Sequence, residues 1–68
     1  MRQIVISRGE DGQWAAECPS LPGCITQGRS REEAIENARD AVGQYIAALE
    51  EDKLPVRPET FDTLVVAV

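Results

Sequence analysis

The apolar residues of this chain change their spacing once along its length, and that single change limits the folds open to it. As far as Gly28 they alternate in short runs, whereas from Ala34 to Leu49 they recur every three or four positions. Alternation marks half-covered strands, whose side chains point to opposite faces in turn, and the longer spacing marks an amphipathic helix. With 68 residues in all, there is room for one domain built from a few short strands, one helix and a thin core. Burial in so small a core leaves only roughly 3–5 kcal/mol once the backbone is ordered, so a further support is expected.

The candidates for that support narrow quickly. Two cysteines, Cys18 and Cys24, do not make a disulfide framework of the secreted type, and the sequence opens without the charged and apolar stretches of a signal peptide, so the cytoplasm is the expected compartment. There is no histidine, and two thiols six positions apart do not complete a four-ligand zinc site, so neither a metal nor another cofactor is expected. No apolar run approaches the roughly 20 residues of a membrane span. Self-association remains as the expected support.

Charge bears on partners. Seven lysines and arginines stand against 12 aspartates and glutamates, a net charge of −5, and the basic residues are scattered. Direct nucleic-acid binding is therefore not expected, because phosphate neutralisation needs a basic patch. An acidic surface suits a basic protein, drawing it in by long-range attraction, and it also keeps a small domain in solution.

Residues 2–8 read as a first strand, with Ile4 and Ile6 on one face and Gln3, Val5 and Ser7 on the other. Gly9-Glu10-Asp11-Gly12 follows, and its Asp-Gly pair offers the left-handed geometry of a tight hairpin. Residues 13–18 form the second strand, with Trp14, Ala16 and Cys18 opposite Gln13, Ala15 and Glu17. In the loop Pro19-Ser20-Leu21-Pro22-Gly23, Pro22-Gly23 fits the centre of a type II turn. Residues 24–28 form a third strand, with Ile25 and Gln27 on one side and Cys24 and Thr26 on the other.

Ser30-Arg31-Glu32-Glu33 is a capping box: the serine oxygen accepts from the Glu33 amide, and the Glu33 carboxylate reaches back to the serine amide. The helix it opens carries Ala34, Ile35, Ala38, Ala41, Val42, Tyr45, Ile46 and Leu49 on a stripe about 160° wide. Glu33, Glu36, Asp40 and Glu51 lie opposite, Gly43 sits on the polar side, and Pro55 stops the helix near Asp52 or Lys53. After a linker with two prolines, residues 61–68 are rich in β-branched side chains and predict a fourth strand. Leu64, Val66 and Val68 share one face of it, while Val65 and Ala67 make the other face apolar too.

The resulting order is β-β-β-α-β, an α+β fold in a single domain, 1–68. A right-handed crossover would lay the fourth strand parallel to the first, giving the sheet order 3-2-1-4. One helix covers one face of such a sheet, so the other face and the last edge need a second polypeptide. Leu64, Val65, Val66, Ala67 and Val68 are the expected interface of a homodimer or higher homo-oligomer.

The run from Asp11 through Trp14 to Pro19-Ser20-Leu21-Pro22-Gly23-Cys24 resembles the signature of the HicB antitoxin family, an aromatic strand followed by P-x-L-P-G-C. The likeness continues through Gly28, the Glu32-Glu33-Ala34 helix start, Tyr45 and Leu49, and so covers nearly the whole chain. Each piece is weak alone, but their order and spacing together are specific. The resemblance implies a partial RNase H-like fold that neutralises a HicA-type toxin, a small basic protein similar to double-stranded RNA-binding domains that cleaves messenger RNA with a histidine. Family members often carry a further helix-turn-helix or ribbon-helix-helix segment for operator DNA. Here the sequence stops at Val68, which puts that role in doubt.

A nuclease of RNase H type would need carboxylates converging on metal ions. Asp11 falls in a turn, Glu17 on a strand, Asp40 on the solvent side of the helix and Asp62 before the fourth strand, so convergence is not expected, and without histidine the commonest general base is missing. The chain is therefore not read as an enzyme. The residues expected to touch a partner are Asp11, Trp14, Glu17, Leu21, Pro22, Glu36 and Asp40, each with a plainer role beside it. Trp14 would serve the core, Leu21 and Pro22 would simply close a turn, and Glu17, Glu36 and Asp40 would face water along with Glu32, Glu50 and Glu51. Cys18 and Cys24 read as buried small hydrophobes rather than a redox pair. The rival function is an orphan HicB-like module that assembles with itself and has no toxin.

Overall fold

The computed structural model describes residues 2–68, and in them three strands and one helix form: β1 Val5–Arg8, β2 Trp14–Glu17, β3 Ile25–Gly28 and α1 Arg31–Glu51. The strands make one antiparallel meander in the order β1-β2-β3. Val5 pairs with Glu17, which pairs with Ile25, and Arg8 pairs with Trp14, which pairs with Gly28.

Both turns work through glycine. Gly12 and Gly23 take φ near +82°, the left-handed region that other residues enter only at a cost. The β1–β2 turn spans residues 9–12, closed by Gly12 N–H donating to Gly9 C=O at 3.1 Å, so Gly12 ends the turn instead of sharing its centre with Asp11. In the β2–β3 loop Cys24 N–H donates to Leu21 C=O at 3.0 Å around Pro22-Gly23, the type II arrangement that the sequence predicts.

Ser30 caps α1, its hydroxyl accepting from Glu33 N–H at 3.1 Å. The return half of the capping box differs by one residue: Glu33 Oε1 accepts from the amide of Arg29, at 3.1 Å, rather than from Ser30. At the other end Lys53 N–H reaches Glu50 C=O and Leu54 N–H reaches Leu49 C=O at 2.8 Å. That pair of bonds is a Schellman stop, with Lys53 at φ +58° where glycine is usual.

The helix lies on the face of the sheet that carries Ile4, Ile6, Trp14 and Ala16. Ala16, Ala34 and Ala38 form the floor of one core cluster, with Ile4, Ile6 and Trp14 against it. Cys18, Leu21 and Cys24 form a second, under Ala41, Val42, Tyr45 and Ile46. Small side chains on both sides let helix and sheet approach closely, and Gly28 sets the limit: a Cβ there would stand 2.5 Å from the Ala34 amide nitrogen.

The expected fourth strand, and with it the sheet order 3-2-1-4, does not form in the single chain. Residues 54–68 carry no regular structure, and Leu64, Val65, Val66, Ala67 and Val68 are all exposed, Leu64 by 83% and Val65 by 91%. The physical reason is cover. Ordering eight residues costs about 1–2 kcal/mol each in backbone entropy, and a strand with two apolar faces placed here would still show one of them to water. The segment nonetheless returns to the expected side of the sheet. The Glu59 carboxylate accepts from Gln3 N–H just ahead of β1, and Thr63 lines a hollow with Gln3, Ile4 and Val5.

Candidate functional site

The face of the sheet turned away from α1 has no cover from this chain. The pairing register sets Val5, Glu17 and Ile25 in one row across it and Ser7, Ala15 and Gln27 in the next. Ile25 is 58% exposed there, and Glu17 places an exposed carboxylate on the middle strand between two aliphatic neighbours. Such a charge is well placed to meet a cation on an incoming surface, because the flanking apolar groups exclude water around the pair.

At the turn end, Asp11 is exposed, with Oδ1 accepting from Gln13 N–H at 3.0 Å. Trp14 is half-buried against the alanine floor, and the Arg8 guanidinium lies 5.8 Å from its ring centroid. Its outer edge and that cation are the parts left for a partner.

At the opposite end, Leu21 is buried, only 1% exposed, and belongs to the core; it supports the loop from beneath and has no surface to offer. Pro22 is exposed, and its carbonyl accepts from the Tyr45 hydroxyl at 2.9 Å, fastening the loop to the helix. Cys18 and Cys24 are both buried as free thiols. Burial first, then the neighbouring Cys18, raises the Cys24 thiol above its ordinary value, the direction that disfavours the nucleophilic thiolate.

On the helix, Glu32, Glu36, Asp40, Glu50 and Glu51 are exposed. Glu33 is set apart from them by its bonds to Arg29. The Arg29 backbone N–H, then its guanidinium 3.5 Å away, hold the Glu33 carboxyl below its usual range. Glu36 and Asp40, four positions apart, stand on one side of α1 as a free acidic pair.

The sequence-predicted contact residues thus do not converge. Asp11 and Trp14 share the turn end, Glu36 and Asp40 share the helix, Pro22 is at the far end and Glu17 is on the open face. The four carboxylates weighed as metal ligands are equally dispersed, and among the described residues no group of three or more His, Cys, Asp or Glu could hold a metal ion. Among the described residues no helix is long and apolar enough to cross a membrane.

One feature escaped the sequence reading. Between the edge of β1 and α1 runs an apolar groove of about 290 Å³, floored by Ile4, Ile35 and Val42 and flanked by Arg2 and Arg39. Its signal is the width of the helix stripe, which exceeds what three strands can cover. Glu59, whose carboxylate accepts from the Gln3 amide, is a second feature that the sequence reading did not single out. Partial burial disfavours its charge, but the amides of Gln3 and Thr60, the Ser20 hydroxyl and the Arg2 charge outweigh that and hold its carboxyl below the ordinary value.

Comparison with known proteins adds the biological frame. Residues 3–67 match the family model described as the HicB-like antitoxin of bacterial toxin–antitoxin systems. A UPF0150 protein of Thermoplasma acidophilum is 39% identical over 54 residues, 76% of this chain and 78% of that one. Another, from Helicobacter pylori, is 44% identical over 50 residues, covering 74% and 68% of the two chains. A third, from Synechocystis, is 39% identical over 56 residues, covering 82% and 71%.

Proposed function

The chain belongs to the HicB-like antitoxin family of bacterial toxin–antitoxin systems, and from that premise we propose that it binds a small basic toxin of HicA type and blocks the toxin's RNA-cleaving surface. The observation that carries this reading is the placement of its negative charge. The net charge is −5, and Glu36, Asp40 and Glu17 are exposed and, among the described residues, take part in no ion pair within 4 Å, so these acidic side chains remain available to a basic partner. The chemistry is steric and electrostatic, without catalysis or a cofactor, and the site of action is the cytoplasm. Asp11, Trp14 and Pro22 form the rim of the contact.

In the same reading the post-helix segment becomes the fourth strand on assembly, beside β1, completing the order 3-2-1-4 and the partial RNase H-like fold. Its position supports this: the segment already returns to Gln3, and the family match runs through residue 67. Leu64, Val65, Val66, Ala67 and Val68 then serve as the self-association surface of a homodimer or higher oligomer.

The test is co-expression with a small basic toxin of HicA type. Rescue of growth, a stable complex by calorimetry and an affinity that falls as salt rises are expected. The double variant Glu36→Lys/Asp40→Lys should lose most of the rescue while keeping its helical signal. Unimpaired rescue by that variant would overturn the charge-based mode, and no complex with any such toxin would overturn the function. The exposed apolar segment favours a second reading, an orphan module that only self-assembles, which predicts a stable oligomer and no toxin binding.

A further inference from the structure

We propose that Cys18 and Cys24 form an oxidation site, in which a small hydroperoxide closes the two thiols into a reversible disulfide that staples the β2–β3 loop at its base. The reading is independent of a toxin and of self-association. Three observations meet where that loop leaves the sheet.

The pairing register comes first. Glu17 stands opposite Ile25, so one step further along the same antiparallel pair Cys18 stands opposite Cys24, and Cys18 N–H continues the ladder by donating to Cys24 C=O at 3.0 Å. Residues opposed in this way have Cα atoms about 5.5 Å apart, inside the span of about 4.4–6.8 Å that a disulfide bridges. The second observation is that both side chains face the same way: they are free thiols, buried in one cluster with Leu21, under Ala41, Val42, Tyr45 and Ile46. The third is restraint of the backbone. Leu21 N–H donates to Cys18 C=O at 3.1 Å and Cys24 N–H donates to Leu21 C=O at 3.0 Å, so the loop itself holds the two cysteines in opposition.

Burial sets the class of oxidant. Cys18 is 2% and Cys24 7% exposed, which shuts out a bulky disulfide but not hydrogen peroxide. Ser20 Oγ, itself buried, lies 3.6 Å from Cys18 Sγ and accepts from Arg2 Nη1 at 3.0 Å, so a hydroxyl beside a guanidinium is in place to donate to that sulfur as it takes on charge. Cys18 is therefore the attacking sulfur. Its thiol proton leaves, an S–O bond forms, the peroxide O–O bond breaks, and the departing hydroxide collects the proton as water. Cys24 then attacks the Cys18 sulfenic sulfur: the S–S bond forms, the S–O bond breaks, and a second water carries off the Cys24 proton. The two sulfurs lose two electrons, and the peroxide is reduced to two waters. A thiol reductant reverses the bond by exchange. Reduced, the pair packs as small hydrophobes; oxidised, it closes residues 18–24 into a ring around Leu21, which supports the loop from beneath, and Pro22, whose carbonyl Tyr45 holds.

The experiment treats the folded full chain with hydrogen peroxide and follows its intact mass without reductant. The wild type should lose the mass of two hydrogens, peptide mapping should join Cys18 to Cys24 within one chain, and a thiol reductant should restore both thiols. Cys18→Ala and Cys24→Ala each leave a single thiol and should gain oxygen instead. A second measurement needs no variant to fold: at equilibrium with a small dithiol couple, the disulfide should be favoured about tenfold or more in the folded chain over the chain in urea, and the oxidised chain should melt above the reduced one. Oxygen uptake by the wild type without loss of hydrogens, a bridge between two chains, or a pair left untouched overturns the proposal. So does a bridge no more favoured in the folded chain than in urea, because that shows the fold holding the two sulfurs apart.

Discussion

Replacing Gly28 with alanine should unfasten the helix from the sheet. The added methyl would stand 2.5 Å from the Ala34 nitrogen and 2.9 Å from both the Ala34 Cα and the Glu33 carbonyl carbon. All three are backbone atoms in the first turns of α1, so no side chain can rotate out of the way. The Gly28 backbone itself lies outside the left-handed region, and at such a position alanine normally stabilises by about 0.4–1 kcal/mol through the unfolded state. The clash reverses that sign. Overpacking costs about 1–3 kcal/mol, out of roughly 3–5 kcal/mol available to a domain of this size. With a urea slope near 1 kcal/mol per molar, the midpoint should fall by about 1–3 M. Gly43→Ala is the internal control: it lies mid-helix with nothing within 4 Å of its built Cβ, so it should stabilise by about 0.5–1 kcal/mol. Urea melts followed by circular dichroism read both. If Gly28→Ala matched or exceeded the wild type, the close approach of β3 to the start of α1 would be wrong.

Two further outcomes are accessible to the same measurements. Lys53 holds φ +58° at the helix stop, a conformation that costs a non-glycine residue about 1–2 kcal/mol; Lys53→Gly should recover up to about 1 kcal/mol, raising the melting temperature by about 4–8 °C, and an unchanged or lower melting temperature would deny the strain. Glu33 has its carboxyl lowered by the Arg29 amide, so its contribution is fully present above the ordinary glutamate value near 4.3 and disappears as pH falls through the lowered folded value. Glu33→Gln should therefore lose less stability than the wild type across that acid window, and parallel acid curves for the two would contradict the bond.

Much of the architecture could be read from the sequence because it is locally dictated. Positive φ at Gly12 and Gly23, the Ser30 cap and the stop ahead of Pro55 each depend on a few adjacent residues, whose steric and hydrogen-bonding preferences act whatever the rest of the chain does. The alternation around Ile6, Ala16 and Thr26 and the stripe from Ala34 to Leu49 likewise determined which faces meet. The candidate site was less legible. Leu21 looked like a loop tip and is core, because the turn folds it back under Tyr45 and Ile46. The seven expected contacts are spread over several surfaces, because linear spacing does not say which end or face of the sheet a residue will occupy.

The sequence by itself determined three strands, one capped helix and an acidic balance of charge. Only the tertiary structure decided that Gly28 is where helix and sheet touch, that Glu33 reaches Arg29, that an apolar groove runs beside β1 and that residues 61–68 stay out of it. The reason is that β-propensity and apolar pattern describe what a segment can bury, whereas a strand forms only where a pairing edge and cover for both faces are present together, and in one copy of this chain that cover is incomplete.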